Sequence, residues 1–193
     1  MSRLLKEITE IKSGLTVNHL NFIKSNQFLA YLQVKDFDEW GNLQNINEIK
    51  KIEPYFYREY VLRENDILFA AKGTRNYAVT FKRKNFDAIA SSSFFVIKVN
   101  KDFVQPDFLC WYLNNSIAQN YFKTVSKGVI TPSVTKEELS YLEVKIPPIN
   151  EQENIACLSK LIKKENALVK KIEEKKSKFI EHLIYRKIKN TSK

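Results

Sequence analysis

Four glycines, five prolines, two cysteines and two histidines are scattered through 193 residues, and each shortage removes a class of protein. So little Gly and Pro excludes collagen-like and low-complexity chains and leaves no reason for extensive disorder. Cys110 and Cys157 lie far apart, which excludes a disulfide framework or a zinc finger and suits a reducing cytoplasm. His19 and His182 form no His-x-x-x-His pair and no Ser-His-Asp set. No glycine-rich turn marks a cofactor site, and no cofactor or metal is expected. No run reaches the ~18 to 20 apolar residues of a membrane span. Arg3, Lys6 and Glu7 stand where a signal peptide needs its apolar region.

What is present is core material and positive charge. Apolar residues make up 44% of the chain, with 13 Phe, 9 Tyr and 2 Trp, enough for one packed domain with an appendage. The formal charge of +10 points to a polyanionic partner, most often nucleic acid. Residues 1–149 hold 20 Lys and Arg against 16 acids, and residues 150–193 hold 12 against 6. More than half of the excess therefore lies on the C-terminal segment, where a solvated lysine face accounts for it equally well.

Ile146-Pro147-Pro148-Ile149-Asn150-Glu151-Gln152 divides the chain. Two prolines fix φ and remove two donors, Asn150 is placed to cap a helix, and Glu153 is placed to complete a capping box. From there to about Lys189 neither Pro nor Gly interrupts. The expected domains are a body over 1–148 and a long helix over 149–193. Ile155, Ile162, Val169, Lys176 and Leu183 fall at one heptad position, and Leu158, Glu165, Ile172, Phe179 and Arg186 at the other. Leu161, Leu168 and Ile180 widen the seam. Roughly 40 residues give a rod of about 60 Å, longer than a body of this size can cover, so Ile155, Leu158, Ile162, Val169, Ile172, Phe179 and Leu183 are the expected interface with a partner helix. A shorter helix folded back on the body is the alternative.

The body reads as α+β, many short strands with no βαβ alternation. Leu5, Ile8 and Ile11 have helical spacing ahead of Ser13-Gly14. Strands are expected over Phe28–Val34, Ile67–Ala71, Tyr77–Phe81 and Phe94–Val99, with a turn at Glu64-Asn65-Asp66. Leu109, Tyr112, Leu113, Ile117, Tyr121 and Phe122 predict one amphipathic helix over Asp107–Val125. Thr135 and Glu138 form a capping box for a short helix, and Leu142, Val144 and Ile146 alternate as a strand with one wet face.

Several landmarks recur in order. They are Ile11-Lys12-Ser13-Gly14, Tyr31-Leu32-Gln33-Val34-Lys35-Asp36, Asn65-Asp66-Ile67-Leu68-Phe69-Ala70 with Gly73-Thr74, Ala88-Ile89-Ala90-Ser91, Pro106-Asp107-Phe108-Leu109-Cys110-Trp111, and Pro147-Pro148-Ile149-Asn150-Glu151-Gln152. This succession resembles the specificity subunits of Type I restriction–modification systems. The resemblance implies a non-catalytic protein whose target recognition domain reads half of a bipartite double-stranded DNA site. It also implies helices that space two such domains and dock DNA adenine methyltransferase subunits, with the restriction subunit joining indirectly. This sequence departs from that pattern in holding one domain and one helix. It therefore resembles half of a specificity subunit, needing a homodimer or a second half-subunit in an antiparallel coiled coil to read a palindromic split target.

Candidate DNA contacts follow from charge and loop chemistry. Lys72 to Lys84 carries Lys72, Arg75, Lys82, Arg83 and Lys84 without an acid. Gly73 lets a phosphate approach the backbone, Thr74 and Asn76 offer donors, and Arg75 has the fork that reads a guanine edge, worth ~1 to 3 kcal/mol. Ser126, Lys127 and Thr131 around Gly128 form a second group, although Gly128 and Pro132 also serve as plain turn formers. Lys35 is a third. Lys170, Lys171, Lys175 and Lys176 suit either phosphates or solvent. Tyr55, Phe56, Tyr57 and Tyr60 suit stacking but fit a core better. Asp107 with Glu143-Val144-Lys145 superficially imitates a metal-dependent nuclease; Asp107 is equally a first-turn helix acid. A coiled-coil interaction module that does not read DNA is the remaining alternative.

Overall fold

The computed structural model describes residues 1–16, 29–38, 41–44, 49–50, 57–73, 76–82, 86–126 and 133–191. It divides into two units, Met1–Ala156 and Cys157–Lys193.

The first unit opens with strand β1 (Ser2–Leu4), one helical turn α1 (Leu5–Ile8) and strand β2 (Thr9–Ser13). Helical spacing predicts a helix through Ile11, but the helix stops at Ile8. Thr9 turns extended, its hydroxyl donating to the Leu5 carbonyl at 2.7 Å, and Thr9–Ser13 then gains a five-residue antiparallel ladder with Phe95–Val99. The ladder wins over helical periodicity, as tertiary pairing commonly does over local propensity. At Gly14 an added Cβ would lie 2.1 Å from the Ser91 carbonyl oxygen, so only glycine lets this strand end pass so close to β7.

Strands β3 (Leu29–Leu32), β4 (Ile49–Lys50), β5 (Ile67–Ala70), β6 (Tyr77–Thr80), β7 (Asp87–Ala90) and β8 (Phe94–Val99) follow. The order β2-β8-β5-β6 makes a four-stranded antiparallel sheet, and β4-β3-β7 a three-stranded one in which β3 and β7 run parallel. Helices α2 (Pro106–Asn114), α3 (Ser116–Val125) and α4 (Lys136–Ser140) come next, then β9 (Glu143–Lys145), which pairs with β1.

At its centre, on β5, the larger sheet is buried on both faces. Alternate residues of β5 go opposite ways, Ile67 and Phe69 into a core with Phe108, Leu109, Leu113 and Phe122, and Leu68 and Ala70 into a second core with Ala30, Leu32, Ala88 and Phe94. Burial on both faces explains why β5 reads as a continuous apolar run rather than an alternating one. The single helix expected over Asp107–Val125 is two. Asn115 closes α2 and caps α3, its side chain accepting from the Ala118 amide at 3.0 Å; a residue with a short polar side chain competes well with helix continuation. The Thr135–Glu138 capping box forms as expected, with both reciprocal bonds present.

Helix α5 (Ile149–Thr191) begins in the first unit and makes up the second. Its start differs from the expectation at Asn150. The Pro148 carbonyl accepts from Glu151 and Gln152 at 3.0 and 3.1 Å, so Asn150 lies inside the first turn, exposed. Gln152 fixes this end instead. Fully buried, it accepts from the Gln105 amide at 2.8 Å and donates to the carbonyls of Phe103 (3.2 Å) and Pro147 (2.8 Å). Each atom of a buried amide is thus satisfied, and the helix start is tied to the segment leading into α2. No helix of the described residues is long and apolar enough to cross a membrane.

Candidate nucleic-acid interface

Three of the basic segments singled out by the sequence are stitched together around one turn. β5 and β6 form a hairpin whose connection begins at Ala71. The Ala71 carbonyl accepts from the Val134 amide at 2.9 Å, and Lys72 forms an antiparallel bridge with Ser133. Ser126, which ends α3, donates its hydroxyl to the Ser133 carbonyl at 3.4 Å. The segment around Ser126 therefore lies against the segment around Lys72, 54 positions earlier in the sequence. On the other side Tyr77, the first residue of β6, donates its hydroxyl to the Val34 carbonyl at 3.1 Å. Val34 opens the 3-10 turn Val34–Asp36 that carries Lys35.

Within this cluster Lys35 and Lys72 are exposed. Gly73 has φ +116°, a conformation that favours glycine, and among the described residues no atom lies within 4 Å of its would-be Cβ. Asn76 is occupied internally, its amide donating to the carbonyls of Ala70 (3.0 Å) and Ala71 (3.3 Å). It shapes the turn rather than offering a donor at the surface. The acids beside Lys35 are likewise engaged in local structure. Asp36 accepts from the Gln33 amide at 2.8 Å, and Asp38 accepts from the Asn42 amide and the side chains of Asn42 and Gln44. Thr74, Arg75, Arg83, Lys127 and Thr131 lie outside the described residues, as do Lys84 and Gly128.

Lys82 belongs elsewhere. It follows β6, at the opposite end of the hairpin from Lys72, with its ammonium 2.6 Å from the Asn65 side-chain oxygen, 3.6 Å from Glu64 and 3.8 Å from Asp107. The stretch 72–84 is free of acids in sequence, but the fold brings two carboxylates to Lys82. Asn65, at φ +73°, sits in the expected turn, where Asp66 accepts from the Arg63 amide at 2.8 Å. Asp66 is buried, and desolvation raises its carboxyl above the ordinary range, against the lowering effect of the Arg63 bond and of nearby Lys98.

The residues of the nuclease reading have other partners. Asp107 is beside Lys82, and Glu143 accepts from the Ser2 hydroxyl on the paired strand. Among the described residues no group of three His, Cys, Asp or Glu side chains is placed to hold a metal ion. Of the aromatics, Tyr57 is buried in a small core with Leu29, Tyr31 and Ile89, whereas Tyr60 is partly exposed, and Tyr55 and Phe56 fall outside the described residues. An open, mainly apolar groove of about 510 Å³ is lined by Phe108, Trp111, Tyr112, Ile117 and Ile155, with Lys145 and Met1 also on its wall.

The helix presents a second surface. Ile155 packs against the first unit's core, whereas Leu158, Ile162, Val169, Ile172, Phe179 and Leu183 are all exposed, as are Leu161, Leu168 and Ile180. Scattered exposed apolar residues are ordinary, but a stripe of nine at seam spacing marks an interaction surface.

Comparison with known proteins bears on the family and the fold. Residues 1–175 match the model of the Type I restriction modification DNA specificity domain. A curated relative, the putative type I restriction enzyme MjaX specificity subunit of Methanocaldococcus jannaschii, is 24% identical over 159 residues, which are 80% of this chain and 37% of that protein. The chain thus spans little more than a third of that relative. Among solved structures, a chain from a study of complex assembly and conformational transition of the type I R-M system matches with TM-score 0.69 and 18% identity, over 95% of this chain and 43% of its own. The HsdS subunit of Thermoanaerobacter tengcongensis matches with TM-score 0.58 and 19% identity, over 89% of this chain and 39% of its own. Both likenesses are of fold.

Proposed function

The chain belongs to the Type I restriction modification DNA specificity domain family, and from that membership we propose that it is a non-catalytic, DNA-reading half of a specificity subunit acting in the cytoplasm. Residues 1–148 serve as the target recognition domain. Residues 149–193 form the helix that pairs with a second half and, with it, docks DNA adenine methyltransferase subunits, through which a restriction subunit is engaged. Two paired halves present two reading surfaces related by a two-fold axis and so read a palindromic, bipartite target.

The observation that carries this reading is the convergence of the Lys35, Lys72 and Ser126 segments on one turn. Exposed lysines there neutralise phosphates and fix orientation, while Thr74, Arg75, Lys127 and Thr131, close to them in sequence, are the candidates for base edges and further phosphates. Lys82, already facing two carboxylates, contributes less, since its charge is largely compensated.

Fluorescence anisotropy with a random-sequence duplex of about 40 base pairs tests this, because phosphate contacts make affinity fall steeply with salt. The pair Lys72→Glu and Arg75→Glu is expected to weaken binding on the order of 100-fold and to flatten the salt slope, with the urea midpoint unchanged. Lys82→Gln is expected to change binding by less than about threefold. Unaltered affinity in the double variant would remove this turn from the interface. The exposed stripe favours a second reading, a coiled-coil module without DNA contact, which predicts no salt-dependent binding at all.

A further inference from the structure

We propose that a second copy of this chain lays its helix antiparallel on the first in a single register, set by Glu165 of each copy facing the partner's Lys176. This register presupposes the self-association proposed above and fixes its direction and alignment. Inside the second unit the seam positions are Leu158, Ile162, Glu165, Val169, Ile172, Lys176, Phe179, Leu183 and Arg186, and its large apolar members are exposed. Two of the three charged members, Glu165 and Lys176, have opposite signs and lie at equal distances from the midpoint between Lys170 and Lys171.

A two-fold axis through that midpoint sets Leu158 against the partner's Leu183, Ile162 against the partner's Phe179 and Val169 against the partner's Ile172. The same operation sets Glu165 against the partner's Lys176, and each pairing recurs in reverse. All four kinds of layer are then apolar on apolar or acid on base. Arg186, the last seam position, falls opposite the partner's Ile155, which packs against the first unit's core, and its long side chain reaches water instead.

The alternatives each strand a charge. A parallel pair stacks Glu165 on the partner's Glu165 and Lys176 on the partner's Lys176, like charges in a seam that excludes water. Sliding the antiparallel pair by one heptad either way sets Glu165 against the partner's Leu183 or Val169, and Lys176 against the partner's Ile172 or Leu158. A polar residue at a seam position is the usual means of choosing a register at some cost in stability. Here two complementary ones select direction and alignment together.

Sedimentation of the full chain, with Glu165 and Lys176 reversed singly and together, tests the register. Glu165→Lys alone and Lys176→Glu alone should each weaken self-association on the order of 100-fold, because each places two like-charged pairs in the seam. The double variant restores both attractions and should return within about threefold of the original. Single variants that associate like the unaltered chain, or a double variant that stays weak, would overturn the register while leaving self-association standing. A chain that is monomeric at tens of micromolar, or pairs only with a different helical protein, would overturn self-association itself.

A distance reports direction independently. Cys157 is exposed and Cys110 is buried, so a nitroxide label on the unaltered chain marks Cys157. Labels should lie about 40 Å apart in the proposed register, from 1.5 Å per residue, and within about 20 Å if the helices run parallel.

Discussion

Phe69 and Phe179 are the same side chain in two settings. Phe69 on β5 is 0% exposed and packs tilted against Phe122 at 4.8 Å between ring centres, whereas Phe179 on the long helix is 64% exposed. Both sit in runs with regular apolar spacing, and the sequence distinguishes neither by hydrophobicity. The difference is that the first unit supplies the facing layer itself, with α2, α3 and the smaller sheet covering the two faces of β5. The large apolar side chains of the second unit's seam are exposed among the described residues. Apolar periodicity states that a face will be covered. What covers it is a separate question, and here the two regions answer it differently.

The same truncation at both sites separates them most sharply. Phe69→Ala removes a fully buried ring and is expected to destabilise the first unit by about 3 to 5 kcal/mol, read from urea unfolding followed by tryptophan emission. Phe179→Ala is expected to leave that transition within about 0.5 kcal/mol, as for an exposed residue, while weakening self-association by roughly tenfold or more, as loss of a buried aromatic anchor does. A shift of the first-unit transition by Phe179→Ala would mean that its ring is covered within its own chain.

The junction between the regions gives the next largest effect. Gln152→Ala strips partners from the Gln105 amide and from the carbonyls of Phe103 and Pro147, and unsatisfied buried groups cost about 1 to 3 kcal/mol. Asn150→Ala, at the position expected to cap the helix, should cost less than about 0.5 kcal/mol, because Asn150 is exposed and the helix has already begun. Equal losses in the two variants would restore Asn150 as the cap.

These contrasts show where the sequence is legible. The α+β class, the buried strands β5, β6 and β8, the Thr135 cap and the long helix follow from patterns that local chemistry decides. The strands β1, β2, β4 and β7 escape because they take their stability from pairing with distant segments; β2 also reads with helical spacing, and β7, with Ala88, Ile89 and Ala90, carries too little apolar bulk to stand out. The break at Asn115 was visible in Asn114-Asn115-Ser116 but was outvoted by helical periodicity on both sides. For the candidate interface, the basic segments could be picked out one at a time. Their meeting through Lys72 and Ser133, and the separation of Lys82 beside Glu64 and Asp107, depend on sheet register and on contacts between residues up to 61 positions apart.

Asp66 gives the smallest effect, and one confined to the first unit. Its carboxyl is buried beside the turn into β5, and desolvation raises its folded pKa above the ordinary 3.8. Between those two values the native chain holds a proton that the unfolded chain has lost, so this group's contribution to stability falls as pH rises through the window and is constant above it. Asp66→Asn removes the titration and keeps an oxygen to accept from the Arg63 amide, 2.8 Å from the carboxylate in the native chain. The stability of the variant relative to the unaltered chain should therefore increase from about pH 4 upward and level off once Asp66 is ionised. Urea midpoints at a series of pH values measure it. A relative stability that instead declines with rising pH would mean that Arg63 and Lys98 hold the carboxylate charged, outweighing burial. Self-association through the helix, whose exposed seam positions from Leu158 to Leu183 lie in the second unit, should keep the same pH profile in both proteins.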